Sequence, residues 1–404
     1  MDTVLLRKKT CRICGGTDLE KILDLGEMPP ANSFLKKENL SAPEQKFPLT
    51  IYYCENCKLV QLLDVVNPNI LFRSYNYLTS ASKPLIEHFR KMGDDIVSRF
   101  IQDPREIVVE IGGNDAVLLE GIQDRCHVIN VEPAINIAEV AAKKGINTIN
   151  KFFNKEVAEE ILQQYGPAKI VVGNNVMAHI DDIQSVWHGI KTLIGERGVF
   201  VGEMHWVGNL INEGGFDQIY HEHLCYFSLT SLQKLLAQYE LRVFDIELVP
   251  IHGQSMRVYV ARNRKIEETV SAFLEKEKGL GLDTKEVFMQ FAGRVEKNKE
   301  KLGNLLRRLK KEGKKIAGYG APAKGNTLLN YFGIDTTMLD FLIDTTPLKQ
   351  GLYAPGAHIP IYAPEKLNEA KPDYLLLLAW NYAEAIIEKE REYRERGGRF
   401  IIPV

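Results

Sequence analysis

The stretch Ile107-Val108-Val109-Glu110-Ile111-Gly112-Gly113-Asn114-Asp115-Ala116 constrains the fold more than any other part of the sequence. Its apolar, β-branched start reads as a strand buried on both faces, the pattern of parallel sheet. The strand breaks into paired glycines, which let the backbone turn tightly beside a ligand, and a helix is predicted from about Val117. A second strand, Val128-Ile129-Asn130-Val131-Glu132, follows and ends in an acid. Strand, glycine turn, helix and strand with a terminal acid form the adenosine-binding half of a doubly wound α/β fold, the acid being placed to accept hydrogen bonds from two ribose hydroxyls. A dinucleotide site calls for Gly-x-Gly-x-x-Gly, which is absent, whereas a Glu-x-Gly start suits S-adenosylmethionine. Glu110, Gly112, Asn114, Asp115 and Glu132 are therefore cofactor-binding candidates.

The same alternation continues downstream. Lys169 to Gly173 reads as a strand that runs into Asn174-Asn175-Val176-Met177-Ala178-His179. Residues just past the carboxyl end of a parallel strand line the ligand crevice, so Asn174 and Asn175 join the cofactor candidates and His179 becomes a substrate-side candidate. Gly198 to Glu203 is a further strand, and Arg242 to Ile246 with Ser255 to Val260 read as an edge hairpin. Upstream, a helix is predicted from about Pro84, with apolar residues at helical spacing, behind a polar aromatic segment that holds Tyr75 and Tyr77. After Arg262 the composition turns charged, and Lys285 to Lys311 is predicted to be one long amphipathic helix. A second strand, glycine turn and helix begin at Lys315-Ile316-Ala317-Gly318-Tyr319-Gly320-Ala321-Pro322-Ala323-Lys324, where Lys324 near a helix N-terminus could meet a phosphate.

The chain's 404 residues exceed one compact core and suggest two or three domains. The net charge of only -2 speaks against a nucleic-acid partner. No apolar run approaches the roughly 18 residues of a membrane span, and the polar start is unlike a signal peptide, so a cytoplasmic setting is expected. Four of the six cysteines form two Cys-x-x-Cys pairs, Cys11/Cys14 and Cys54/Cys57. Reduced thiols in that pattern are the ligand set of a tetrahedral structural zinc, which closes a small module too short for its own apolar core.

One stretch holds the proton-transfer chemistry. Between Gly214-Gly215 and the apolar run Leu224 to Leu229, the chain presents Tyr220-His221-Glu222-His223. Strand alternation would send Tyr220 and Glu222 to one face and His221 and His223 to the other, whereas a tight loop would bring Tyr220 and His223 to one cavity. A His-Glu-His run is also half a metal site or a plain hydrogen-bonded turn. The His-Glu-x-x-His spacing of a metalloprotease is missing.

Taken together, the cysteine pairs, Glu110 to Asp115, Val131-Glu132-Pro133, Asn174 to His179, Phe216 to His223 and Gly318 to Asn326 resemble the nucleotide-sugar C-methyltransferases across nearly the whole chain. The resemblance implies an α/β protein of three domains: a zinc-binding domain over 1–72, a Rossmann-like S-adenosylmethionine-dependent methyltransferase domain over 73–262, and a helical linker with a Rossmann-like C-terminal domain over 263–404. It implies S-adenosylmethionine and structural zinc as cofactors, and a TDP-linked 4-keto-deoxysugar as substrate, methylated beside the ketone, commonly at C3. It assigns catalytic positions to Tyr220, Glu222, His223 (as base), His179 and one tyrosine of the Tyr75/Tyr77 pair, with Tyr77 the choice here. Two departures stand out. Ala116 replaces the usual glycine at the close of the cofactor turn, and Gly113 stands where serine is common. If position 116 needs a positive φ, alanine costs about 1 kcal/mol. Two other readings follow from the same residues: an NAD-dependent oxidoreductase or epimerase, and a non-catalytic homologue that has lost its cofactor.

Overall fold

The computed structural model describes residues 4–73, 75, 78–251 and 254–404. The chain folds into two compact units, each drawn from three stretches: 1–20, 53–208 and 224–284 in the first, 21–52, 209–223 and 285–404 in the second.

The first unit is built on a seven-stranded sheet. Its strand order is Arg242–Val249, Ser255–Ala261, Val199–His205, Ile170–Val172, Ile107–Ile111, His127–Val131, Asn147–Ile149. The five strands from Val199–His205 to Asn147–Ile149 pair in parallel, and Ser255–Ala261 joins them antiparallel. Ile107–Ile111 lies between two parallel neighbours and is buried at every position, which is why it carries no polar alternation. The short strand Asn147–Ile149 was not legible, because three residues are too few to carry a period.

Helix Lys83–Phe100 packs on this sheet. Proline sits in its first turn, and Leu85, Phe89, Met92, Ile96 and Phe100 form one buried stripe. Each such side chain contributes about 1.5–3 kcal/mol by leaving water. Gly93 is needed where this helix crosses the next segment, since a Cβ there would lie 2.9 Å from Ile122 Cγ2. Helix Glu268–Gly279 adds a brace: the buried Glu277 carboxylate accepts from Trp206 Nε1 (2.8 Å), the Leu229 and Thr230 amides (2.6 and 2.9 Å) and the Thr230 hydroxyl (2.7 Å). It thereby satisfies the first turn of helix Leu229–Ala237, whose N-cap is Ser228.

The second unit holds a five-stranded, all-parallel sheet in the order Ile361–Tyr362, Phe341–Ile343, Ile316–Tyr319, Tyr374–Leu377, Arg399–Ile401. This is the Rossmann-like layer expected after Lys315, with Ile361–Tyr362 as a further edge strand. The charged stretch before it forms the single helix Glu286–Lys311, which buries Phe288, Phe291, Val295, Leu302, Leu306 and Leu309 on one face. Among the described residues no helix is long and apolar enough to cross a membrane.

Candidate active site

In the first unit the glycine turn leaves the central strand at Gly112 and closes at Ala116. Gly112, Asn114 and Ala116 all have positive φ (62°, 52° and 60°). Alanine thus occupies a left-handed position that glycine adopts at no steric cost, so the condition raised from the sequence is met. Ala116→Gly is expected to raise stability by about 1 kcal/mol, read as a shift in denaturation midpoint; an unchanged or lower midpoint would show that the site tolerates alanine without strain.

The turn lies at the carboxyl ends of three neighbouring strands, where polar atoms collect without partners. Glu110 Oε2, Asn130 Oδ1, Asn174 Nδ2 and Asn175 Oδ1 are all buried and unpaired. Gly113 runs hard against two of them: a Cβ there would lie 2.4 Å from Asn130 Oδ1 and 2.9 Å from Glu110 Oε2. A buried cluster of unpaired donors and acceptors beside a bare turn is costly unless a polar ligand completes it, and S-adenosylmethionine, with ammonium, carboxylate and ribose, fits that requirement. Burial pushes the Glu110 carboxyl up to about 8; the nearby Asn174 amide, too far for a formed hydrogen bond, offsets part of the rise, and the neighbouring Asp115 and Glu132 add to it. A cation beside it would reverse that.

The other candidates are already engaged. Glu132, raised by burial, accepts from the Asn114 amide (3.0 Å) and the Ala134 amide (2.8 Å). Each of its oxygens keeps a lone pair for a hydroxyl. Asp115 is fully buried and accepts from Lys144 Nζ at 3.2 Å. Asn114 Oδ1 accepts from the Thr79 amide at 2.9 Å, which ties the aromatic segment to the turn. Tyr77 lies outside the described residues. Asn175 also has positive φ (55°), and its amide donates to the Glu203 carbonyl at 2.7 Å. His179 stacks on Phe72, centroids 5.6 Å apart and planes at 9°. Burial and then nearby His205 push its pKa down to about 4, so the ring is neutral.

Sequence reasoning missed a buried ion cluster behind Asn174. Glu203 contacts His88 Nε2 at 2.8 Å and Arg257 Nε at 2.8 Å, and Arg257 reaches Glu247 at 3.1 Å. Burial pushes Glu203 up, but the bond with His88 and the charges of His88 and Arg257 outweigh it and hold it below the usual carboxylate range. These partners lie up to 169 positions apart, and no local pattern links them.

The zinc candidates also meet in this unit. The Sγ atoms of Cys11, Cys14, Cys54 and Cys57 lie within 4.8 Å of one another, with Cys11 and Cys57 at 3.3 Å and Cys14 and Cys54 at 3.5 Å. Sulfurs about 2.3 Å from a tetrahedral zinc would stand about 3.8 Å apart, so the set fits the ion. Hydrogen bonds from Cys54 and Cys57 lower the Cys11 thiol, while the same crowding raises Cys57.

Tyr220, Glu222 and His223 belong to the second unit. The alternation left open in the sequence resolves as a tight turn: the His223 amide donates to the Tyr220 carbonyl at 2.9 Å, and the two rings approach to 4.0 Å between centroids. His223 Nδ1 lies 2.8 Å from the Gln218 carbonyl. A carbonyl only accepts, so Nδ1 carries a proton, and Nε2 is the ring's acceptor nitrogen in its neutral form. Glu222 accepts from Asn32 Nδ2 at 2.6 Å. His221 is the structural member: its Nε2 donates to the Phe47 carbonyl at 3.1 Å, and burial pushes its pKa down to about 4. Phe216 anchors the preceding turn by stacking on Phe332 at 4.9 Å.

Two further residues of this unit join the cluster through contacts distant in sequence. Asp217, fully buried, accepts from Trp380 Nε1 at 2.6 Å, and burial raises its carboxyl. Lys324 lies over the Trp380 ring at 4.2 Å and donates to Asn381 Oδ1 at 2.5 Å, its pKa lowered by burial.

Three family models match the chain: a "Putative zinc binding domain" over residues 11–72, a "Methyltransferase domain" over 86–246 and a "C-methyltransferase C-terminal domain" over 250–404. The C-methyltransferase NovU of Streptomyces niveus is 39% identical over 398 residues, which is 98% of this chain and 95% of that protein. Solved structures also align. The magnesium protoporphyrin IX methyltransferase of Synechocystis PCC 6803 with bound S-adenosylmethionine is 11% identical over 44% of this chain and 81% of its own, at a TM-score of 0.33. An S-adenosylmethionine-dependent methyltransferase of Clostridium acetobutylicum is 13% identical over 44% of this chain and 92% of its own, at 0.35.

Proposed function

The chain belongs to the C-methyltransferases, enzymes that draw their methyl group from S-adenosylmethionine and carry a zinc-binding N-terminal domain, and we propose that its acceptor is a nucleotide-linked 4-keto-deoxysugar, methylated at the carbon beside the ketone. TDP is the nucleotide and C3 the carbon on this reading, and 1–72, 73–262 and 263–404 are its zinc, methyltransferase and C-terminal domains. The reading includes a cytoplasmic setting, where thiols stay reduced.

The observation that carries it is the His223 tautomer. The Gln218 carbonyl fixes the proton on Nδ1, which makes Nε2 the basic nitrogen of the ring and the group assigned to take the hydrogen acidified by a neighbouring ketone. When bound, S-adenosylmethionine supplies an electrophilic methyl group for the resulting enolate carbon. Tyr220, held against the His223 ring, is a donor for the developing oxyanion, and neutral His179 or Tyr77 is a second. One well-placed donor is worth about 3 kcal/mol. Glu222, oriented by Asn32, holds a sugar hydroxyl. Lys324, at the start of helix Ala323–Phe332, is the phosphate contact.

The test is to incubate the zinc-loaded protein with S-adenosylmethionine and TDP-linked 4-keto-6-deoxyhexoses and to weigh the products. A product heavier by one methylene, located on carbon, is expected. Tight cofactor binding with no methylation across a panel of 4-keto sugars would overturn the acceptor class.

A further inference from the structure

We propose that Arg12, within the first cysteine knuckle, is a positioning residue for His179, so that the zinc module sets the geometry of a catalytic side chain as well as stabilising its own fold. This rests on the reading of His179 as an active-site group.

Arg12 follows Cys11 and is 5% exposed, an unusual place for a guanidinium; its Nε and Nη1 are used, while Nη2 is buried without a partner. Its Nε donates to Asp181 Oδ1 at 3.1 Å, two residues beyond His179. Its Nη1 donates to Gln61 Oε1 at 3.2 Å and to the Leu62 carbonyl. The knuckle is also gripped from outside. Gln184 Nε2 donates to the Arg12 and Ile13 carbonyls, both at 2.8 Å, and Gln238 Nε2 to the Ile13 carbonyl at 3.0 Å. Gln184 lies in the first turn of helix Ile183–Ile194, whose N-cap is Asp182.

A second set of bonds closes the frame. The Leu62 amide donates to the Leu224 carbonyl at 3.0 Å, and the Leu224 amide to the Ala178 carbonyl at 2.7 Å. The backbone beside His179 is thus tied to Leu62, whose carbonyl Arg12 also holds. The imidazole stacks on Phe72, at the end of the matched zinc-binding stretch. Knuckle bonds therefore fix the chain on both sides of His179 while Phe72 sets its plane. A displacement of about 1 Å at a reacting centre can cost about 100-fold in rate.

The experiment pairs Arg12→Gln with His179→Ala, singly and combined, and adds Asp181→Asn in case the first variant folds poorly. Zinc content, S-adenosylmethionine affinity, kcat, KM and the His179 ring resonances in isotope-labelled protein are measured. Arg12→Gln and Asp181→Asn are expected to keep zinc and to change cofactor affinity less than about threefold. They should lower kcat about 10- to 100-fold with little change in KM, and move the His179 resonances. In the His179→Ala background the further loss from Arg12→Gln should vanish, because a residue acting through His179 has nothing left to act on. An equal loss in both backgrounds, or unmoved His179 resonances, would overturn the proposal. Native turnover in His179→Ala alone would remove the catalytic assignment of His179, and the resonances would still decide the positioning claim.

Discussion

His223→Ala is expected to slow methyl transfer about 10²–10⁴-fold, the usual contribution of a general base, while S-adenosylmethionine binds with native affinity. The reason lies in the proton inventory of the turn. The Gln218 carbonyl occupies the Nδ1 side of the ring, so only Nε2 can take a proton, and alanine offers nothing in its place. Exchange of the sugar's acidic hydrogen with solvent deuterium should fall in parallel with turnover, since both need the same abstraction. Turnover within about tenfold of native would show that another group removes the proton. His221→Gln makes a contrast. The Nε2 proton of His221 is committed to the Phe47 carbonyl, so its replacement should lower stability more than it lowers exchange.

Cofactor affinity is expected to rise with pH, by up to tenfold per unit between about pH 5 and 8, and to level off above. Burial raises the free protein's Glu110 to about 8, so at pH 6 it holds a proton that a cationic ligand must expel. The stability of the cofactor-free protein should move the other way. A glutamate with a folded pKa above its unfolded value of about 4.3 helps fully below pH 4.3, and that contribution is lost as pH rises towards 8. Two opposite slopes therefore come from one carboxyl, and Glu110→Gln should flatten both. Calorimetric titration in buffers of different ionisation enthalpy would report the released proton. A pH-independent affinity in the native protein, or a pH slope that persists in Glu110→Gln, would exclude Glu110 as the cation's partner.

Where a side chain's role is written in neighbouring residues, the sequence alone was enough. Paired cysteines, the glycine turn, the edge hairpin and the long helix before the second sheet all follow from spacing and residue type, whereas the left-handed position of Ala116 was only a condition until the backbone was seen. The Tyr220-His221-Glu222-His223 run was visible, but whether it alternated or turned was not, because four residues satisfy both patterns. What lay beyond reach were contacts made by folding distant segments together. Asp217 meets Trp380 from 163 positions away, and Arg12 meets Asp181 from 169. In the sequence each is an ordinary polar residue. Only its burial and its partner reveal a constraint, and both are properties of the folded chain.

The Glu277 brace decides where this protein can be cut. A methyltransferase fragment ending at residue 262 would look complete in sequence, but it would strip the acceptor from the Trp206 indole, the Leu229 and Thr230 amides and the Thr230 hydroxyl. Unpaired buried donors cost about 1–3 kcal/mol each, against a total stability for a domain of about 5–15 kcal/mol. Extending the fragment through Thr284 retains helix Glu268–Gly279 and its carboxylate, so what reads as a charged linker is a part that any excised or transplanted version must carry with it.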